Sequence, residues 1–193
     1  MGPADDIRAI TRGLIADVAP HDTIEKEHLA VVLGWIDSGA ALWRTAKPAT
    51  PPMHLVSYAV VIDPGTDRVL LVDHRLAGLW LPTGGHVEPG EHPAHTSRRE
   101  LGEELGISPD PHPRVGDRPL LVTVTTTVGT DTPHDDVSLW FAFIAPADTP
   151  IRPDPGEFVD TRWWPIGEIE HRPGTRFDPH LPRFLEKLTG GRT

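Results

Sequence analysis

Glu100, Glu103 and Glu104 crowd into one short run, Glu100-Leu101-Gly102-Glu103-Glu104. Pro93 suits a first helical turn and Gly106 suits the residue past the end, so the pattern predicts a helix over 93–105. At about 100° per residue, with Glu100 as zero, Glu103 falls near −60° and Glu104 near +40°. Three carboxylates thus share one face, while Ala94, Leu101 and Leu105 fall elsewhere and can bury. Carboxylates in a last turn oppose the helix dipole, at roughly 0.3–1 kcal/mol each. Like charges four residues apart add repulsion. Such crowding invites a compensating cation, and hard oxygen donors select Mg²⁺ or Mn²⁺. A solvated acidic helix face would carry the same pattern.

The flanking residues separate these readings. Gly85 is followed after five residues by Glu91, and after seven more by Arg99-Glu100-Leu101. Glu103-Glu104 and Gly106-Ile107 complete the run. This resembles the Nudix hydrolase box at every defining position. At average residue usage, such a set of identities arises by chance roughly once in 10⁹ starts, so coincidence is set aside.

The resemblance implies a hydrolase of nucleoside diphosphates linked to another moiety, working with Mg²⁺, or Mn²⁺ in its place. It implies a Nudix-type α/β/α sandwich with a mixed β-sheet, and a box folded as loop–helix–loop. Glu103 and Glu104 would be the main metal ligands, and Glu100 a further ligand or the general base. The Gly85 carbonyl would join the metal shell. Arg99 and Glu91 would form a supporting ion pair. Family members also use an acidic residue outside the box as ligand or base. Glu157 is the favoured candidate, ahead of Asp135, Asp136 and Asp160, because Glu157 to Trp163 resembles the acidic segment before a Trp-containing strand.

Substrate contacts are less specific. Trp80 and Trp140 could stack on a nucleobase, although core packing is the commoner use of a tryptophan. Arg75, at the end of a strand, could meet phosphate. Trp163 and Trp164 must point to opposite faces of their strand. Proline, tyrosine and coenzyme A markers of three Nudix substrate classes are missing near the box. Elimination leaves a nucleoside triphosphate or similar small nucleotide, with nucleotide sugars and CDP-alcohols as alternatives. Histidine is frequent (11 residues), yet no linear spacing matches a standard zinc site.

The elements that must position these groups are also legible. Two helices are expected within residues 1–45. Ile7, Ile10, Leu14, Ile15 and Val18 repeat at helical spacing. Asp22 and Glu25 form a capping-box pattern ahead of Leu29, Val32, Leu33 and Ile36, and Gly39 lies past the end. Lys47 to Pro52 reads as a boundary between a helical extension, 1–50, and the main domain, 51–193. Leu55–Asp63 and Val69–Asp73 read as a hairpin around Pro64-Gly65-Thr66-Asp67. The chain is expected to loop through Leu81–Gly85. Strands are expected over Leu120–Val128, Val137–Ile144 and Phe158–Trp164, with a terminal helix over Leu181–Leu188. Adjacent strands mixed with a helical crossover imply a mixed sheet with helices on it.

Composition excludes several functions. The 193 residues carry a formal charge of −10, which disfavours nonspecific nucleic-acid binding. With no cysteine, disulfides, thiolate catalysis and thiolate metal sites are excluded. No apolar run is long enough for a membrane helix, and Met1–Asp6 has no signal-peptide pattern, so a soluble cytoplasmic protein is the default. Homodimerisation follows only from the resemblance. Two competing readings remain. One is a nucleotide-sensing regulatory module using residues 1–45, although Arg8 and Arg12 against Asp5, Asp6 and Asp17 do not make a DNA-reading helix. The other is a Nudix-fold isomerase, against which the intact box argues.

Overall fold

Helices α1 (Pro3–Ala16) and α2 (Thr23–Asp37) lead into strands β1 (Met53–Asp63), β2 (Arg68–His74), β3 (Leu79–Leu81) and β4 (Thr83–His86). Helix α3 (Pro93–Leu105) follows, then β5 (Asp110–Pro111), β6 (Leu121–Thr126), β7 (Asp135–Ile144), β8 (Phe158–Pro165) and α4 (Leu181–Thr189). The computed structural model describes residues 3–47, 50–127, 133–169 and 175–190. Val128 of the strand expected over Leu120–Val128, and Pro48 and Ala49 of the expected boundary, lie outside them.

Strand β1 organises the sheet. Its run of Val, Leu, Ile and Ala is buried on both faces, as a central strand requires. One edge pairs in parallel with β7 from Met53↔Asp135 to Ile62↔Ile144. The other edge is shared: Val56–Ala59 pair with β4, and Val61–Asp63 pair with β2. The sheet order is β3-β2-β1-β7-β5, with β8 added on β2 and β6 on β7. The sheet is therefore mixed, and the two expected hairpin strands do pair, at Val61↔Leu70 and onward.

Two hydrophobic layers cover it. Leu55, Ala59 and Val61 of β1 join Leu101 and Leu105 of α3 and Leu29, Val32 and Ile36 of α2 on one face. Val60 and Ile62 join Trp140, Trp164, Phe184 and Leu188 on the other, under α4. The alternation of β1 side chains thus produces an α/β/α sandwich. The N-terminal helices share the first core with the sheet, through Ile15, Val32 and Leu42.

Asp22 caps α2, its Oδ1 accepting from the Glu25 amide at 2.7 Å. The expected return contact differs. Glu25 Oε2 accepts from the His21 amide at 2.6 Å, one residue earlier than a capping box would place it. Glu25 is fully buried. Its Oε1 and Oε2 each accept from Lys187 Nζ at 2.8 Å, and Oε1 also takes the Val122 amide at 3.2 Å. One carboxylate thereby ties α2, α4 and β6 together.

The expected loop over Leu81–Gly85 is instead two short strands, β3 and β4, broken at Pro82. Glycines carry no side-chain periodicity, which hides β4 from a pattern reading. Its glycines let it approach β1 closely, for a Cβ on Gly84 would collide with the Ser57 carbonyl and the Tyr58 ring. No helix among the described residues is long and apolar enough to cross a membrane.

Candidate active site

Helix α3 carries the three carboxylates, and its ends are set locally. His92 Nδ1 accepts from the Ala94 amide at 3.1 Å, and Pro93 opens the first turn. Gly106 closes the helix at φ 67°, a left-handed conformation that glycine adopts without a Cβ penalty. Ser57 Oγ on β1 donates to the Pro93 carbonyl at 2.7 Å, fixing the helix start against the sheet. Ala94, Leu101 and Leu105 bury, as their positions on the helix predict.

Arg99 is the hub beneath the acidic face. Its Nε and Nη2 bind Glu91 Oε1 and Oε2 at 3.0 and 3.1 Å, a bidentate pair. Nη1 reaches Glu100 Oε1 at 2.7 Å and Glu103 Oε2 at 3.1 Å. Nη2 also donates to the His86 carbonyl at 3.3 Å. Glu91 is itself held by Thr96 Oγ1 at 2.8 Å. One guanidinium thus links the strand before the helix to two of the three helical carboxylates.

The three are not equivalent. Glu103 is exposed, whereas Glu100 and Glu104 are buried. Burial raises the Glu100 carboxyl, partly offset by Arg99. Burial first, then the charges of Glu100 and Glu157, push Glu104 up to about 9. Glu104 Oε2 is buried and receives no hydrogen bond. The carboxyls of Glu104, Glu100 and Glu157 are close enough to share hydrogen bonds, but ionised carboxylates offer no donor. A donor from outside the carboxyl set, a proton, or a cation must bridge them. Gly85 completes the pocket from β4, since a Cβ there would strike the Glu100 carboxylate. This donor set is all oxygen and suits a hard divalent cation.

Glu157 stands at the rim, in the segment before β8. Its carbonyl accepts from the Arg75 amide at 3.0 Å, and Arg75 Nε donates to the Pro155 carbonyl at 3.1 Å. Arg75 is therefore exposed beside Glu157. The Asp154 amide donates to the Glu104 carbonyl at 2.9 Å, which docks this segment on the end of α3. The other acidic candidates lie on strands. Asp160 accepts from the Thr161 amide at 2.8 Å, and Asp135 Oδ1 from Thr126 Oγ1 at 2.6 Å.

Two expected substrate contacts fare differently. Trp140 is 0% exposed, wedged between Tyr58 and Phe184, with Nε1 donating to Thr123 Oγ1 at 3.0 Å. The core reading is the correct one for Trp140, because no nucleobase can reach a ring enclosed on all sides. Trp80 is half-buried and packs edge-on to Trp164 at 5.0 Å, on the α4 side. Trp163 and Trp164 do face opposite sides, each toward a different core.

One grouping has no counterpart in the linear reading. His54, His86, His134 and Asp136 come together, their candidate ligand atoms all within 4.8 Å. The sequence separates His54, His86 and the His134–Asp136 pair by tens of residues. The available signals were His134 two residues before Asp136 on a strand, and His86 immediately after Gly85.

The NUDIX domain family model matches residues 53–188. The chain belongs to the Nudix family. This Nudix chain is 29% identical over 157 residues to the NAD-capped RNA hydrolase ndx-9 of Caenorhabditis elegans, covering 77% of this chain and 39% of that protein. It is also 36% identical over 89 residues to an uncharacterised Nudix hydrolase of Rhodococcus erythropolis, covering 45% of each chain, so these matches span less than half the length of either relative. It is 28% identical over 178 residues to an isopentenyl-diphosphate Δ-isomerase of Streptomyces avermitilis, covering 84% of each. In fold it is similar to the Nudix domain of Shewanella oneidensis NrtR, solved with ADP ribose. That match has a TM-score of 0.54 and 20% identity, over 72% of this chain and 88% of the other.

Proposed function

We propose that this Nudix protein is a divalent-metal-dependent pyrophosphohydrolase acting on a nucleoside diphosphate derivative, with a nucleoside triphosphate or similar small nucleotide as the first substrate to test. The observation that carries this reading is the buried meeting of Glu100 and Glu104, where Glu104 Oε2 has no donor. A structural carboxylate would be matched by an arginine, an amide or a hydroxyl. Here the nearest acidic partners repel one another, and Arg99 engages Glu100 and Glu103 but not Glu104.

Glu103, Glu104, Glu100 and the Gly85 carbonyl would hold Mg²⁺ or Mn²⁺. When bound, such an ion neutralises pyrophosphate charge and lowers the pKa of a coordinated water. The chain's own groups supply the remainder. Arg99, clamped by Glu91, fixes the carboxylates of Glu100 and Glu103. Glu157 faces them from the rim, where its carboxylate can accept the proton of the attacking water. Arg75 beside it offers a cation to a substrate phosphate.

The test is a substrate panel with Mg²⁺, read by product identity. It spans canonical and oxidised nucleoside triphosphates, nucleotide sugars, ADP-ribose, CDP-alcohols, dinucleoside polyphosphates and NAD. Glu103→Gln should lower turnover on the active substrate by about 10³-fold or more without unfolding the chain. Equal turnover in this variant would defeat the assignment.

An isomerase reading is favoured by one observation, the similarity to an isopentenyl-diphosphate Δ-isomerase over 84% of both chains. Adding isopentenyl diphosphate to the panel separates the two: an isomerised diphosphate favours this reading, and a released phosphate favours the hydrolase.

A further inference from the structure

The fold gathers four metal-ligating side chains at the opposite face of β1 from the acidic helix. His54 lies directly across from Asp136 in the β1–β7 register, and His86 lies across from Val56, two residues along β1. His134 precedes Asp136 by two residues and falls on the same side. By alternation this side also carries Val60 and Ile62, which pack under α4, whereas α3 packs on Leu55, Ala59 and Val61. On β4, Gly85 turns to Glu100 and the next residue, His86, turns to the histidine cluster.

Three of the six atom pairs are spaced close to the edges of a coordination shell, and all lie within 4.8 Å of one another. His54 Nε2 lies 3.0 Å from His86 Nε2 and 3.2 Å from Asp136 Oδ1, and His134 Nε2 lies 3.5 Å from the same oxygen. Zinc–nitrogen bonds near 2.0–2.1 Å give a tetrahedron whose edges are about 3.3–3.4 Å. The protonation states also agree. His54 Nδ1 is 2.9 Å from the Pro51 carbonyl, which only accepts, so the proton sits on Nδ1 and the Nε2 lone pair points inward. Thr127 Oγ1 lies 3.2 Å from the His134 carbonyl, to which its hydroxyl can donate. With the hydroxyl hydrogen so placed, His134 Nδ1, 3.0 Å from that oxygen, donates to it, and the Nε2 lone pair is free to face a cation. Ligating histidines orient themselves this way, through the other ring nitrogen. Asp136 Oδ1 is buried, lies against His54 Nε2 and His134 Nε2, and receives no hydrogen bond. Lone pairs meeting at 3.2 Å repel unless a cation lies between them.

We propose that His54, His86, His134 and Asp136 form a second metal site, distinct from the acidic box, closed by four ligands and suited to a first-row transition cation, with Zn²⁺ foremost. Three imidazoles and one carboxylate favour Zn²⁺ over Mg²⁺, which requires near-octahedral oxygen ligands. A set of four protein ligands leaves no position for substrate, so the role is structural. The bound ion would pin the start of β1 and β7 to the end of β4. It would also steady the His86 carbonyl that holds Arg99.

The test uses the full chain, stripped with chelator and titrated with Zn²⁺ and Co²⁺. Wild type should take up one Zn²⁺ tightly, and its Tm should rise by about 5 °C or more. Co²⁺ should give the intense visible absorption of a tetrahedral nitrogen-ligated ion, which a six-coordinate carboxylate site does not give. A Glu100→Gln, Glu103→Gln, Glu104→Gln triple variant should retain both signals. His86→Gln and Asp136→Asn should each weaken Zn²⁺ binding by about 100-fold or more. Stoichiometric uptake lost in the triple variant but kept in His86→Gln would overturn the proposal. So would a wild-type protein that binds no Zn²⁺, or Co²⁺ that stays six-coordinate. The wild-type spectrum decides the matter even if a histidine variant fails to fold.

Discussion

Glu25 and Glu104 are both buried glutamates on helices, yet their surroundings are opposite. Glu25 is matched on every side, by Lys187, by the His21 amide and by the Val122 amide. Glu104 meets Glu100 and Glu157 and leaves one oxygen without a donor. Folding alone would not select the second arrangement, because an unmatched buried carboxylate destabilises the chain. Buried charge that is fully satisfied reads as architecture. Buried charge left unsatisfied, beside a glycine that cannot tolerate a Cβ, reads as a place prepared for something the chain does not itself contain.

The sharpest way to break this comparison is to neutralise each acid in turn. Glu104→Gln should lower kcat/KM by about 10³-fold or more, a loss near 4 kcal/mol in transition-state stabilisation. Its denaturant midpoint should stay level or rise, since a neutral amide needs no proton uptake to sit buried beside Glu100 and Glu157. Steady-state kinetics and urea melts on the same preparation check both halves. A large stability loss with intact turnover would place Glu104 among the structural acids.

Glu25→Gln should behave in reverse. It leaves the Lys187 ammonium buried without its counter-ion, at a cost of about 3 kcal/mol in unfolding free energy. Chemical denaturation reads this directly. Adding Lys187→Met should recover most of the loss, because two apolar or neutral groups need no pairing. Turnover per folded molecule should not change, as Glu25 lies among α2, α4 and β6 and touches no box residue.

Asp178 offers an intermediate case. It is buried, and burial raises its carboxyl to about 6, although the His180 and Leu181 amides pull the other way. A carboxyl raised from about 3.9 when unfolded keeps its proton longer in the native state. The contribution of Asp178 to stability is then greatest below pH 4, falls between about pH 4 and 6, and stays reduced above that. Asp178→Asn should abolish this slope and gain about 1–2 kcal/mol at pH 8, provided its Oδ1 still accepts from the His180 amide, as Asp178 does at 2.7 Å. Thermal melts at pH 4 and pH 8 test the sign.

Legibility in the sequence followed the same division. Helix α3 was readable to the residue, since Pro93, Gly106 and the acidic face are local signals. Strands β1, β2, β7 and β8 were readable because long apolar runs bounded by turn residues have few other uses. Strand β4 was not, for its pairing with β1 is made by backbone and by glycines without pattern. Trp140 was ambiguous because a strand tryptophan looks the same whether it faces α4 or solvent. The histidine cluster was hidden for a different reason: its members meet only once the parallel β1–β7 pairing and the β1–β4 pairing have formed. Local chemistry is written in neighbouring residues, whereas chemistry assembled by sheet register needs the topology first.

The smallest expected effect tests whether matching matters only when burial is present. Asp37 ends α2 and is held by Arg12, with Oδ1 at 2.6 Å from Nε and Oδ2 at 3.0 Å from Nη2. This geometry is as good as that of Glu25 with Lys187. Both side chains are about half exposed, however, at 47% and 50%. Water competes for each charge, salt screens the pair, and ordering two side chains opposes the gain. Asp37 also sits where the helix dipole disfavours an acid, so its removal relieves one unfavourable contact while deleting a favourable one. Asp37→Asn should therefore leave Tm within experimental error at physiological salt. A clear loss of stability would show that ion-pair geometry, rather than burial, separates Glu25 from Glu104.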